Sequence, residues 1–110
     1  MGKDIEFINK LKINENVWVA MSKERALAFS NDKNELDIPV WNTMEESQEF
    51  LDNTSHSITY NPVEVPLDTF KAAWLSNDKL RINDLIICPN GKNAQDLVLT
   101  RSELINQLWH

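Results

Sequence analysis

Several residue types that carry common protein chemistries are scarce in this sequence of 110 residues. The single cysteine, Cys88, excludes an internal disulfide. Two glycines are too few for the glycine-rich loops that cradle phosphates in nucleotide-binding proteins. The longest apolar runs, residues 17–21 and 85–88, are far shorter than the roughly 20 residues that cross a bilayer. These absences argue against a disulfide scaffold, a phosphate-binding loop and a membrane-spanning protein.

Positive charge is also in short supply. The chain has 11 Lys and Arg against 17 Asp and Glu, a formal net charge of −6. Such a protein repels the phosphates of free nucleic acid, so no nucleic-acid partner is predicted. Hydrophobic residues at 42% and charged residues at 25% are typical of a soluble globular protein. Charges interrupt residues 1–6, so we expect no secretory signal, no membrane partner and a cytoplasmic, bacterial-type protein.

The hydrophobic pattern predicts a single α+β domain over residues 1–110. Apolar alternation or short apolar runs predict strands at residues 17–21, 26–30, 36–41, 58–65, 85–88 and 97–99. Helical spacing predicts a helix at residues 3–12, and Pro66 marks the start of another. Capping boxes at Thr43–Glu46 and Thr100–Glu103 predict a helix at residues 44–52, with Met44 buried, and a last helix after Thr100. The expected fold is a single mixed or antiparallel sheet of about five or six strands with about four helices packed on it, in the order α-β-β-β-α-β-α-β-β-α.

Prolines and turn residues refine this expectation. Pro39 and Pro62 cannot donate a hydrogen bond to a neighbouring strand. The strand that contains Pro39 is therefore predicted to be an edge strand or to direct that nitrogen away from its neighbour, and Pro62 predicts an edge or a bend. Asn83-Asp84 is predicted to form a turn, and Gly91 a loop position with positive φ.

Fold-specifying residues in this order resemble a known family. They are Val17-Trp18-Val19, Ile38-Pro39-Val40-Trp41, Tyr60-x-Pro62, Leu67-Asp68-Thr69-Phe70 and Trp74-Leu75. From about residue 17 to residue 108 the chain resembles the bacterial family catalogued as domain of unknown function 2750. The order of elements is also similar, more distantly, to the N-terminal domain of the enhanced-serine-sensitivity protein. The family resemblance implies a cytoplasmic α+β domain and assigns no catalytic residue, although the family's turn glycine is missing at Asn83-Asp84.

The sequence contains no recognisable catalytic or metal-binding set. His56, Cys88 and His110 lack the spacing of a zinc site, and Cys88 ends an apolar strand as a buried structural cysteine does. No cofactor and no metal are therefore predicted, and the protein is expected not to be an enzyme. One enzymatic alternative stays open: an unfamiliar site near His56 and Tyr60, on a segment between two helices where a pocket could form.

The negative charge is concentrated in one stretch of the sequence. Residues 31–52 carry one lysine and seven acids, a balance of −6 that equals that of the whole chain. The acids are Asp32, Glu35, Asp37, Glu45, Glu46, Glu49 and Asp52. Because one strand and one short helix carry them, we expect them to share one side of the molecule. Trp41, at the strand end, is either buried, as tryptophan usually is, or an exposed anchor residue of this surface, and the second alternative is the hypothesis that adds it to the candidate partner-binding set.

Three interpretations of this acidic stretch remain open. It serves solubility alone, or it is a docking surface for a basic protein partner, whose association the charge accelerates. A special case of the second interpretation is an immunity protein that neutralises a basic nuclease toxin by occupying its phosphate-binding cleft. The leading prediction is a non-enzymatic protein-interaction module.

Overall fold

Two small sheets and the helices around them form the fold. The computed structural model describes residues 3–23, 25–30, 32–92 and 96–109. The helices are α1 (Lys3–Asn14), α2 (Met44–Thr54), α3 (Leu67–Thr69), which continues as a π-helical segment (Phe70–Leu75), and α4 (Arg101–Leu108). The strands are β1 (Asn16–Ser22), β2 (Arg25–Ala26), β3 (Phe29–Ser30), β4 (Leu36–Val40), β5 (Asn61–Pro66), β6 (Ile82–Ile87) and β7 (Leu97–Thr100). Single 3₁₀ turns lie at His56–Ile58 and Asp78–Leu80.

The α+β class is confirmed, but the single predicted sheet is wrong in detail. One sheet has the order β2-β1-β5 and is antiparallel; the other has the order β3-β4-β6-β7, with β4 and β6 parallel. The predicted strand over residues 26–30 is divided between them. The Leu27 amide still donates to the Ala20 carbonyl at 2.8 Å, and the chain then turns away so that Phe29 pairs with Asp37 of β4.

The sheets accommodate the missing hydrogen-bond donors of Pro39 and Pro62 in two different ways. β4 lies between β3 and β6, so it is not an edge strand. The Val40 carbonyl accepts from the Cys88 amide at 2.8 Å, and backbone groups alternate sides along a strand, so the Pro39 nitrogen is directed away from β6. This is the second of the two predicted alternatives. Pro62 lies in β5, which pairs only with β1 among the described strands, so the predicted edge position is confirmed.

Two hydrophobic clusters hold the elements together. The larger one lies between the sheets and the helices α1 and α4, and includes Phe7, Leu11, Leu85 and Leu104 at 1% exposure or less. The smaller one lies under α2 and consists of Ala20, Leu27, Trp41, Phe50 and Leu51. Full burial of one large apolar side chain contributes about 1.5–3 kcal/mol, so both clusters matter for stability.

Local signals position the helix ends and turns. Both predicted capping boxes are confirmed: the Glu46 amide donates to Thr43 Oγ1 at 3.2 Å, and the Glu103 amide to Thr100 Oγ1 at 3.1 Å. The predicted turn at Asn83-Asp84 is wrong, because both residues belong to β6. The chain reverses just before them, at Arg81, whose φ of 56° is left-handed.

Gly91 has the predicted positive φ, at 81°, and the loop that contains it packs against the end of α2. An added Cβ would lie 2.8 Å from Thr54 Cγ2 and 2.9 Å from Asn53 Cβ. We therefore expect Gly91→Ala to lower the free energy of unfolding by about 1–3 kcal/mol, measured by urea denaturation. The exposed neighbour Lys92→Ala is the control and should change stability by less than about 0.5 kcal/mol. Equal stability of the two variants would contradict this account of the loop.

Candidate functional site

The acidic residues of the 31–52 stretch lie in two groups. Asp32, Glu35 and Asp37 lie before or at the start of β4, whereas Glu45, Glu49 and Asp52 lie on α2, which follows the other end of that strand. From Leu36 to Val40 the strand spans about 13 Å at 3.3 Å per residue. The seven acids therefore form two groups along the strand instead of one, and the expectation that both groups face the same side of the molecule stays a prediction.

The α2 group forms a continuous surface, which we call the acidic helix face and define as Glu45, Glu49 and Asp52. These residues follow one another at i, i+4 and i+7, so they share one side of the helix, and all three are exposed. The opposite side of α2 buries Ser47, Phe50 and Leu51. Because the apolar side of α2 packs on the core, the side that carries the three acids faces solvent.

A shallow groove of about 420 Å³ runs along the acidic helix face. Met44, predicted to be buried, lines it and is 48% exposed. Gln48 Nε2 donates to Asp52 Oδ1 at 2.9 Å. Within the described ranges, the carboxylates of the acidic helix face form no ion pair with Lys or Arg. The groove therefore combines unneutralised negative charge with a flexible apolar side chain.

The charges of this face do not help the helix. Glu45 and Glu49 are like charges at i and i+4, an arrangement that destabilises a helix by about 0.2–0.5 kcal/mol. Asp52 lies in the second half of α2, close to the negative end of the helix dipole, and the last turn of α2 carries no basic residue. Only Glu45, in the first turn, is favoured by the dipole. Helix stability therefore does not explain this set of charges.

Glu46 has a structural task instead. Its Oε1 accepts hydrogen bonds at 3.2 Å from the amides of Asn42 and Thr43 and from Thr43 Oγ1. The side chain is half-buried and closes the capping box of α2. Because these donors hold one oxygen of its carboxylate in the helix cap, Glu46 is left out of the acidic helix face, and its role in partner binding stays a prediction.

Trp41 is 0% exposed, so the hypothesis of an exposed anchor is wrong and the buried alternative is correct. Its indole Nε1 donates to the Pro89 carbonyl at 2.8 Å, and its ring lies 5.3 Å from the ring of Phe50. Alternation along β4 directs the side chain into the smaller core cluster, where the carbonyl of a distant loop satisfies its one polar group. Its position before a capped helix therefore does not place it at the surface.

The second acidic group, that of Asp32, Glu35 and Asp37, gains two acids from outside the 31–52 stretch, Asp84 and Glu103. Parallel pairing of β4 and β6 places Asp84 opposite Asp37. Burial raises the pKa of the Asp84 carboxyl, and the negative charges of Asp37, Glu103 and Glu35 raise it further. The apolar run at residues 85–88 predicts a strand, but neither its extension back to Asp84 nor its parallel partner can be read from the sequence. In the ranges that the structure describes, no group of three or more His, Cys, Asp or Glu side chains is arranged to hold a metal ion.

His56 and Tyr60 lie together, as the enzymatic alternative requires, but in an aromatic cluster. Their ring centroids are 6.0 Å apart in an edge-on arrangement, and the His56 ring stacks on Phe50 at 6.2 Å. Phe29 contacts the same imidazole at 6.1 Å. Neither His56 nor Tyr60 lines the cavity beside α2 or the cavity beside Arg25 described below. Ring packing accounts for both positions, and a catalytic role stays a prediction.

The fold and these surfaces define a small α+β protein with an acidic helix face. A family model described as "Protein of unknown function (DUF2750)" matches residues 5–108, and the chain belongs to this family. This confirms the resemblance seen in the sequence; the more distant similarity to the enhanced-serine-sensitivity protein stays a prediction. No curated protein matches the chain. Within the described ranges, no helix has the length and apolar character needed to cross a membrane.

Trp41→Phe tests the structural assignment of Trp41. The variant removes part of a fully buried ring and leaves the Pro89 carbonyl without its donor, so we expect a loss of about 2–4 kcal/mol in the free energy of unfolding. Urea denaturation measures the loss. Trp18→Phe is the control, because Trp18 pairs with Trp41 in the bridge but is only half-buried. It should lower the free energy of unfolding by less than Trp41→Phe does. A larger loss at Trp18 would overturn the assignment.

Asp84→Asn tests the second acidic group. A raised pKa means that the folded protein holds the Asp84 proton more tightly than the unfolded chain does. Ionisation of Asp84 therefore lowers the free energy of unfolding as the pH rises above 3.8, the ordinary pKa of an Asp carboxyl. We expect Asp84→Asn to raise the melting temperature at pH 7, and the gain to vanish near pH 3, where the wild-type carboxyl is protonated too.

Thermal unfolding between pH 3 and pH 8 measures this difference. The control is Asp96→Asn, which removes the same charge from an exposed position beside Leu97, at the far end of the β6–β7 pair from Asp84. An equal gain in both variants would point to net charge alone as the cause.

Proposed function

We propose that this protein is a non-enzymatic protein-interaction module and that its acidic helix face binds a basic surface of a partner protein in the cytoplasm. The observation that carries the proposal is the alignment of Glu45, Glu49 and Asp52. Three exposed carboxylates share one helix face, lack ion pairs within the described ranges, and include like-charge and dipole contacts that weaken the helix.

The geometry suits an electrostatically guided, salt-sensitive contact. Opposite charges on two surfaces steer encounter and raise the association rate. From Glu45 to Asp52 the face spans about 10 Å at 1.5 Å per residue, so it is the centre of a small interface rather than an extended one. Met44, 48% exposed at the start of the groove, supplies an adaptable apolar contact. A partner segment with two or three Lys or Arg residues and an apolar side chain complements these features.

A basic nuclease is one partner of this chemistry. Its phosphate-binding cleft presents the positive charge that the acidic helix face complements, which is the basis of the immunity-protein hypothesis. The distinguishing result is inhibition: the nuclease would lose activity when the protein binds, and its gene would lie beside that of the protein. A partner without nuclease activity supports the general module instead.

The triple variant Glu45→Gln, Glu49→Gln, Asp52→Asn tests the proposal. Neutralisation is preferable to reversal, because three reversals would bring the formal net charge of −6 to zero and reduce solubility. We expect wild-type protein to retain a basic partner from native lysate and the variant to lose it. Affinity isolation followed by mass spectrometry measures retention, and the wild-type complex should weaken as the salt concentration rises.

The matched control is the triple variant Glu6→Gln, Asp68→Asn, Asp96→Asn, which has the same net charge but alters exposed acids on other elements. It should retain the partner as wild type does. Equal retention by both triple variants, or equal loss from both, would overturn the assignment to the acidic helix face. The α2 variant should also melt at a slightly higher temperature than wild type, because removal of the Glu45–Glu49 repulsion and of the unfavourable dipole contact of Asp52 outweighs the loss of the favourable dipole contact of Glu45.

A further inference from the structure

A cavity of about 590 Å³ opens where the β1–β2 hairpin, β4 and the π-helical segment meet. Its walls are mainly apolar, and the residues that shape it are Met21, Ala28, Leu36, Ile38, Trp74 and Arg25. The volume lies within the range of about 300–1,000 Å³ that is usual for small-molecule sites. This cavity lies outside the acidic helix face, and none of the residues that define that face lines it.

The cavity is a place where the main hydrophobic core reaches the surface. Leu36 and Ile38 face it, whereas Asp37 between them is directed to the other side of the sheet. Met21, Leu36 and Trp74 pack on the core but stay half-buried. Several apolar side chains therefore meet in one concave place here, which marks a binding site more often than a single exposed apolar residue does.

The π-helical segment presents one of the walls. The Ser76 amide donates to the Lys71 carbonyl at 2.9 Å, a step of five residues that widens the helical turn. This segment carries Trp74 to the cavity, and the Phe70 ring supports the Trp74 ring at 5.5 Å. π-Helical turns are rare and occur frequently at functional sites.

Arg25 gives the cavity a polar end. Among the described residues that line the cavity it is the only ionisable one, and it is exposed on the short strand β2. Within the described ranges it forms no ion pair. A guanidinium group binds a carboxylate through two parallel hydrogen bonds. A single such group balances one negative charge, and the net charge of −6 disfavours ligands that carry more.

We propose that this cavity binds a monocarboxylate with a medium-length alkyl chain. The chain lies on Met21, Leu36 and Trp74, and the carboxylate pairs with Arg25. Burial of the alkyl groups supplies most of the affinity, and the guanidinium discriminates the acid from a neutral molecule of the same shape.

The test compares sodium octanoate with 1-octanol, which has the same chain length and no charge. Isothermal titration calorimetry of the wild-type protein should show saturable binding of octanoate, tighter than that of octanol. In Arg25→Gln the affinity for octanoate should fall about tenfold, because a charge-assisted hydrogen bond is lost. The difference between octanoate and octanol should disappear in that variant.

Lys23→Gln is the matched control, because it removes the same charge from an exposed position in the same hairpin that does not line the cavity. It should leave both affinities within twofold of wild type. Ala28→Leu narrows the cavity and should weaken both probes, with circular dichroism used to verify that the variant is folded. Absence of saturable octanoate binding, equal effects of Arg25→Gln and Lys23→Gln, or unchanged binding in folded Ala28→Leu would each overturn the proposal.

Discussion

One backbone pair joins the two halves of the structure. Trp18 in β1 and Trp41 after β4 exchange two hydrogen bonds of 2.9 Å, the isolated bridge between the two sheets. This pair fixes the chain immediately before the capping residue Thr43, so it also fixes where α2 starts. The indole of Trp41 extends the same restraint to the loop after β6 through the Pro89 carbonyl. The start of α2, and with it the orientation of the acidic helix face, therefore depends on this pair.

The far end of α2 is fastened as well. Asn53 Nδ2 donates to the Asn90 carbonyl at 2.7 Å, and Gly91 lies so close to Asn53 and Thr54 that only a residue without a side chain fits. Between the two ends, Phe50 and Leu51 are buried in the smaller core cluster. A helix held at both ends and along its buried side keeps the backbone positions of the three acids fixed relative to one another. Preorganisation of this kind reduces the entropy that binding has to overcome.

Local features of this fold could be predicted from the sequence, whereas long-range pairing could not. The capping boxes and the positive φ of Gly91 are set by residues close together in the sequence, so the local sequence pattern was sufficient to predict them. The division of residues 26–30 between two sheets and the parallel pairing of β4 with β6 depend on contacts between distant segments. For the same reason Asp84 was not grouped with Asp37, and the cavity formed by Arg25, Leu36 and Trp74 was not foreseen. Trp41 was misplaced because alternation gives the side of a strand but not which side is covered.

The two proposed sites use charge in opposite ways. The acidic helix face relies on exposed carboxylates, whose attraction for a basic partner acts over several ångströms of water and is screened by salt. Arg25 acts at contact distance at the edge of an apolar cavity, in a protein whose net charge of −6 repels an approaching anion. Salt screens that long-range repulsion more than it screens a partly desolvated ion pair. Rising ionic strength should therefore weaken the proposed protein contact far more than the proposed carboxylate binding, so the salt dependence of binding distinguishes the two proposals.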